Sequence, residues 1–480
     1  MAVPGNATRK GHLEVTSQAT PDIEDNAETT TPDVYRPAKW QSTVTIVGCY
    51  IANFSDGFQN SLANPTNVIF KKLLGPRGYT SEMKSRISNS LIIGAILGIV
   101  VFGYTSDMFS RRGGLLFTSS LVAIGTLMST LALQVHPSHN MLWYFVIVRG
   151  ITGFGVGGEY PPSAAAGIEE SNDFVKKYRG PLFVSFTTLM ATLAGPILMI
   201  IYLICLIASD NNLTITFHAI YSIATILPIT IILLRLFMAD SSLFHYSNLT
   251  RQRRSIRIYL LLARRYWWRI LTISVAFFLY DFINFPNSIM SSTIISSLVQ
   301  DHHIRVTAIW QVILAVLPVP GVVVGAWLTN VIGRRKTGMV GFAGYVVLGF
   351  IIGGTYDKLS QHIAAFVVLY GLLQACGHMG PGATIGLTSS ESFPTAMRSM
   401  GYGIATAFGR TGAAVGTQCF TPLQDRAGNS STFYVAGGVA VLGILVYSLL
   451  PESGEIDLEK EDQDLKEYLL QHGFTIDAKS

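Results

Sequence analysis

Asp56 in "IANFSDGFQNS", Arg149 and Glu159 in "RGITGFGVGGEYPPSAAA", Asp281 in "FFLYDFINFPN" and Arg410 in "YGIATAFGRTGAAVG" are ionisable residues set inside apolar stretches. In a hydrocarbon environment each such group costs roughly 2.5–3.5 kcal/mol on insertion scales, so each requires a partner, a wet cavity or a function. The guanidinium of Arg410 is a fixed positive fork that matches a phosphate or a carboxylate, and small neighbours leave room around it. A permanent ion pair to an acid is the rival reading. Asp56, Glu159 and Asp281 offer carboxyl groups that take up and release a proton in a partly dry cavity, or that hold a static pair between helices. Tyr160, Asn284, Asn287, Gln374 and His378 add neutral hydrogen bonding, either to a substrate or to neighbouring helices.

Arg149 and Glu159 are ten residues apart, about 15 Å along a helix, so they cannot neutralise each other. Arg149 is expected to bond a neighbouring helix as a structural charge, and Glu159 to face the cavity and take part in proton transfer. The glycines between them, Gly150, Gly153, Gly155, Gly157 and Gly158, let a second helix or a ligand approach the backbone closely. "GFGVGG" matches a dinucleotide fingerprint only in part and follows no strand, which excludes that site.

The elements that must position these groups are membrane spans. Of the 480 residues, 49% are hydrophobic and 13% charged, against about 25% charged in soluble domains. Apolar runs that satisfy the requirement of about 20 residues per span predict segments at 44–64, 88–106, 114–135, 141–165, 181–208, 213–238, 268–298, 306–330, 337–355, 361–388, 399–420 and 432–450. The fold class is therefore an all-α membrane protein of twelve transmembrane helices. Its expected parts are a disordered tail (1–40), a six-helix half (41–238), a linker (239–267), a second six-helix half (268–450) and an acidic tail (451–480). The linker, rich in Arg, Tyr and Trp, is either an amphipathic helix on anionic lipid or a solvated connection.

Basic residues cluster in alternate connections: Arg111 and Arg112, Lys176 to Arg179, "RQRRSIRIYLLLARRYWWR", and Arg334 to Lys336. The positive-inside rule makes these connections and both termini cytoplasmic. The first connection, with Lys71, Lys72, Arg77, Lys84 and Arg86, runs against that assignment. The same clustering explains the net charge of +5 without nucleic acid. Sequons at Asn212 and Asn429 fall in outside loops, where a glycoprotein would carry its glycans. The four cysteines sit in apolar runs at no metal or disulfide spacing and read as small buried hydrophobes. No metal motif occurs: H-E-x-x-H is absent, and "HGFTID" stands in the polar tail, which argues against a membrane metalloenzyme.

The two halves repeat one another. Asp107 and Arg111 in "GYTSDMFSRRGG" correspond to Asn330 and Arg334 in "GAWLTNVIGRRKTG". Glu170 and Arg179 correspond to Glu391 and Arg398, and Asp56 to Asp281. All three matches fall at a spacing of about 220 residues, which argues for duplication. The loop and its second copy resemble the signature of the major facilitator superfamily, with Ser110 for the usual glycine and Asn330 for the acid. That resemblance implies a conformational switch at one membrane face, in which Asp107 with Arg111, Arg112, Arg334, Arg335, Glu170, Arg179, Glu391 and Arg398 make and break contacts across the seam. Simple enforcement of topology is the alternative for the arginines.

"GGEYPPSAAAGIEES", "FLYDFINFPNSIM", "ESFPTAMRSMGYGIATAFGRTGA" and "PESGEIDLE" resemble the phosphate:proton symporter branch. Glu159 and Arg410 are more similar to the fungal glycerophosphodiester permeases than to inorganic phosphate members, which usually carry Asp and Lys there. The resemblance implies a monomeric, multi-pass plasma-membrane symporter, not an enzyme, that carries a glycerophosphodiester such as glycerophosphoinositol or glycerophosphocholine. Arg410 would be the anion partner and Asp56, Glu159 and Asp281 the coupling residues. No cofactor is implied: the proton gradient supplies the energy, and the partners are a small anion, protons and the bilayer. Inorganic phosphate, sugar or another organic anion, export rather than uptake, and a non-transporting receptor stay open. The sugar alternative is weakened by "RLFMADSSLFHY" after the sixth span, which lacks the Pro-Glu-Ser pattern of sugar porters.

Overall fold

The computed structural model describes residues 39–105, 111–171, 179–237, 256–299, 303–394, 398–456 and 458–472. The first half holds α1 (Lys39–Ser61), α2 (Ala63–Gly78), α3 (Ser81–Thr105), α4 (Arg111–Thr130), α5 (Ser138–Ser171), α6 (Arg179–Val184), α7 (Met190–Ala208) and α8 (Leu213–Leu236). The second holds α9 (Ile256–Leu298), α10 (Ile304–Val316), α11 (Pro318–Val331), α12 (Arg334–Leu359), α13 (Ile363–Gly377), α14 (Ala383–Glu391), α15 (Arg398–Ala427) and α16 (Ser430–Leu449), and α17 (Leu458–Gln471) follows it. The chain is a multi-pass, all-helical membrane protein. Ten helical runs among the described residues are long and apolar enough to cross a bilayer. The remaining two of the twelve, α1 and α15, carry the polar cavity residues described below, which dilute their apolar character.

Helix α9 runs unbroken for 43 residues from Ile256, so the second part of the expected linker is a helical extension of the seventh span. The acidic tail also contains structure. Leu465 and Leu469 of α17 join a buried cluster with Leu262 and Tyr266 of α9, and Glu461 accepts from Arg269 at 2.8 Å and Tyr266 at 3.1 Å. Of the four free cysteines Cys49 is buried, Cys205 and Cys376 are half-buried and Cys419 is exposed, so the expectation that all four are buried is corrected at Cys419. Asn212 caps α8 through Thr214 and Ile215, and the Asn429 amide donates to the Tyr356 hydroxyl at 3.0 Å.

The glycine run of α5 works on two faces. A Cβ at Gly153 or Gly157 would strike the backbone of Leu91 or Ala95 on α3, and one at Gly155 or Gly158 would strike Thr118 or Val122 on α4. Only glycine permits both approaches at once, which is how small residues substitute for hydrophobic driving force between membrane helices. Two π-helical turns, Ser185–Leu189 and His378–Gly382, interrupt the fifth and tenth spans. Such turns locally rotate the helix and recur at functional sites. Here they meet: the Thr188 hydroxyl donates to the Gly382 carbonyl at 3.0 Å, and Thr192 bonds the His378 ring at 3.3 Å.

Candidate functional site

A cavity of about 270 Å³ opens between the two halves, close to the lower end of the roughly 300–1,000 Å³ typical of small-molecule sites. Its walls come from both halves: Asp56 and Asn60 of α1, Tyr160 of α5 and Thr188 of the first π turn face Asp281 and Asn284 of α9 and Arg410 of α15. The Arg410 guanidinium lies over the rings of Phe285 and Tyr160, 4.5 and 4.9 Å from their centroids. One Nη donates to the Tyr160 hydroxyl at 2.5 Å, and Nε has no partner among the described residues. Ring faces and a phenol hold this cation; among the described residues no carboxylate lies within 4 Å of it.

The two carboxylates nearby are almost wholly buried. Asp56 is 4% exposed and Asp281 3%, and Oδ1 of Asp56 has no partner among the described residues. Asp281 packs on the glycine that precedes Arg410, where a Cβ would lie 3.1 Å from its Oδ2. One half-buried cation and two buried acids therefore share a cavity between two helical bundles, with no ion pair among the described residues that consumes them.

Comparison with known proteins places this arrangement. The model of the sugar (and other) transporter family matches residues 41–260 and 250–465. The chain belongs to that family, within the major facilitator superfamily. It is a transporter and not an enzyme. It is 75% identical over 96% of its length to the MFS-type transporter lnaF of Aspergillus flavus, covering 93% of that protein. It is 36% identical over 91% of its length to glycerophosphoinositol permease 1 of Candida albicans, covering 83% of it. Its fold is similar to that of the xylose transporter XylE from E. coli in a partially occluded inward open conformation, with a TM-score of 0.71 at 16% identity, covering 87% of this chain and 100% of the other. The missing Pro-Glu-Ser after the sixth span does not remove the chain from a family described as sugar and other transporters.

Several of the residues expected at the site border this cavity. Arg410, Tyr160, Asn284, Gln374, Asp56 and Asp281 all line the cavity, as does His378. Glu159 does not. Its carboxylate accepts from Arg235 of α8 at 2.9 and 3.3 Å and from Ser119 of α4 at 2.8 Å, and Arg235 also donates to Ser119 and to the Leu115 carbonyl, the latter at 2.6 Å. The expectation that Glu159 faces the cavity is thus corrected: a guanidinium on a neighbouring helix turns it inward into the first half. Asn287 is corrected as well. It is absent from the cavity wall, its amide donates to the Ile283 carbonyl one turn earlier at 2.8 Å, and its own carbonyl accepts from Tyr370 at 2.5 Å.

Arg149 bonds a neighbouring helix through the Gln59 carbonyl at 2.9 Å and the Gln59 side chain at 3.5 Å. Its partner is neutral. At the arginine-rich face, Arg334 forks onto Glu391 with two bonds of 3.2 Å, and Ser453 donates to the same carboxylate at 2.9 Å. Glu452 caps α12 by accepting from the backbone N–H groups of Arg334 at 2.7 Å and Arg335 at 3.2 Å. Gly180 of the first half packs against this cluster, since a Cβ there would lie 3.2 Å from Arg334. Arg398 is buried. Asp107 lies outside the described residues, as do the side chains of Arg111, Arg112, Glu170 and Arg179.

At the opposite face the halves are joined by Ser85 to Thr421 at 2.8 Å, by Asn89 to Ala414 and Gln418 at 3.2 Å each, and by Arg305 to Asp210 at 2.9 Å. Sequence reasoning missed Arg235, which stands at the end of its span and reads there as a topological charge. It also missed Gln311, Asn60, Asn64 and Tyr402 of the cavity wall, whose signal is no more than polar or aromatic residues in apolar runs.

Proposed function

We propose that the protein is a proton-coupled symporter of an organic phosphate anion, with a glycerophosphodiester such as glycerophosphoinositol or glycerophosphocholine as substrate. The observation that carries this reading is Arg410, a half-buried cation held by rings and a phenol beside two buried acids with which it forms no ion pair. A phosphate ester entering the cavity would accept from the Arg410 guanidinium as a bidentate fork, with Tyr160 beside it. Anion binding cancels the positive charge, so Asp56 and Asp281 favour their protonated forms while the site is loaded. Release of the anion restores the cation and expels the protons, which couples the two fluxes. The similarity to a protein named glycerophosphoinositol permease supports the same class.

The lining favours an organic anion over inorganic phosphate: Phe183, Phe277, Tyr280, Phe285 and Tyr402 surround the polar groups. Alternation of access is assigned to the arginine-rich face, through the fork of Arg334 on Glu391 together with Arg335, Arg398 and the first-half members of the repeated motif, Asp107, Arg111, Arg112, Glu170 and Arg179. The test is uptake into proteoliposomes of labelled glycerophosphoinositol, glycerophosphocholine, inorganic phosphate and xylose under an imposed pH gradient. Phosphodiester uptake that a protonophore stops supports the reading. Phosphodiester uptake indifferent to the gradient, or xylose as the moving species, would sink it, and binding without flux would make the protein a receptor.

A further inference from the structure

We propose that Gln311, together with Gln374 and Asn64, forms a second, uncharged subsite that hydrogen-bonds a hydroxyl-bearing head of the substrate while Arg410 holds its phosphate. This inference rests on the anion-symporter reading and adds which residues select the rest of the molecule. Gln311 of α10 lines the cavity and is 4% exposed, yet neither its Oε1 nor its Nε2 has a partner among the described residues. The Nε2 of Gln374 on α13 and the Oδ1 of Asn64 on α2 are in the same condition, and both residues line the same cavity. Buried side-chain amides are nearly always satisfied, because an unmet donor or acceptor keeps the full cost of its lost hydration. Four such atoms belong to three residues that line one cavity from three helices, so a turn of these side chains toward a ligand would gain bonds without breaking any. An interhelical tie, the ordinary role of a glutamine in a span, is not what Gln311 does here.

The position fits an elongated substrate. Asn64 stands eight residues beyond Asp56 along the α1–α2 run, and Ser291, also in the wall, ten beyond Asp281 along α9. These intervals correspond to about 12 and 15 Å of helix, so the cavity extends from the charged centre toward the Leu298 end of α9. The chemistry at that end discriminates between heads. An amide both donates and accepts, as a hydroxyl does, so a pair of glutamines and an asparagine matches a polyhydroxylated ring. A quaternary ammonium does neither and is recognised by ring faces instead.

Gln311→Met keeps the length of the side chain and removes its hydrogen bonding. In proteoliposomes the variant is expected to raise KM for glycerophosphoinositol by about tenfold, the effect of losing one or two buried hydrogen bonds. KM for glycerol 3-phosphate, which lacks the second head, should stay within about twofold by the same reasoning. Ligand-free Gln311→Met in detergent should melt no lower than the wild type, since no protein bond is lost. Asn64→Leu, from the other half, carries the same expectation and serves if the first variant fails to fold. Equal loss for both substrates, no loss for either, or a lower ligand-free melting temperature would overturn the subsite and leave the anion site standing. A wild type that takes up neither phosphate ester would end the anion reading and the subsite with it.

Discussion

Arg235→Met tests what holds the first half together. Arg235 and Glu159 are 3% and 2% exposed in their side chains and share two hydrogen bonds. Removing the guanidinium takes two charge-assisted bonds from a buried carboxylate that keeps Ser119 as a donor. Breaking a buried pair from one side typically costs about 3–5 kcal/mol. Replacing both members with apolar residues of similar volume is close to neutral on the same reasoning, so Glu159→Leu combined with Arg235→Met should recover most of that loss. The cycle is measured as unfolding free energy in mixed micelles, with the coupling taken from wild type, two single variants and the double variant. A coupling above about 2 kcal/mol fits a structural pair. If Glu159→Gln instead unfolds like the wild type while abolishing the pH dependence of uptake, the pair is a proton site and the reasoning fails.

Arg410→Ala should abolish phosphodiester binding read by ligand-induced thermal shift, whereas Arg410→Lys, a point charge without the fork, should weaken it by an order of magnitude or more; unchanged binding in the alanine variant would move the anion site elsewhere. Because loading requires a protonated carboxyl group, wild-type uptake should fall as the pH on the substrate side rises, and Asp281→Asn, fixed in a neutral form, should flatten that profile; a retained slope would exclude Asp281 as a carrier. Glu391→Gln, which loosens the fork to Arg334, should change the rate of exchange more than the affinity, as single-turnover uptake would read; a pure affinity change would argue against a gate. Arg305→Ala removes an exposed pair with Asp210 and should alter stability by less than about 1 kcal/mol; a larger loss in micelle unfolding would show that this contact holds the seam.

The twelve spans and the duplicated halves were legible because hydropathy and charge placement are strong, one-dimensional signals. So were Asp56, Asp281 and Arg410, since a charge deep in an apolar run stands out without any knowledge of its surroundings. Direction was harder to read. Glu159 was visible as a buried acid, but whether it faces a cavity depends on α8, and Arg235 sits at a span end where basic residues ordinarily mark topology. Asn287 shows the same limit on one helix: Asn284 and Ser288 line the cavity while their neighbour, one step round the same helix, bonds its own backbone. The orphan amide of Gln311 was invisible in sequence, because an unmet bond is a property of the neighbours a residue lacks.

The polarity of α15 has a consequence for how the chain is made. This helix carries Arg410 and does not count among the runs that are apolar enough to cross on composition alone. It fits against α9 through Gly412 and Gly416, where a Cβ would strike the backbone of Phe278 and Phe282, and α9 is synthesised more than a hundred residues earlier. The ribosome therefore delivers the docking groove before the helix that needs it. Insertion of α15 becomes a step of assembly rather than of partitioning, and a truncated chain without α9 should leave α15 on the aqueous side, open to protease and to labelling.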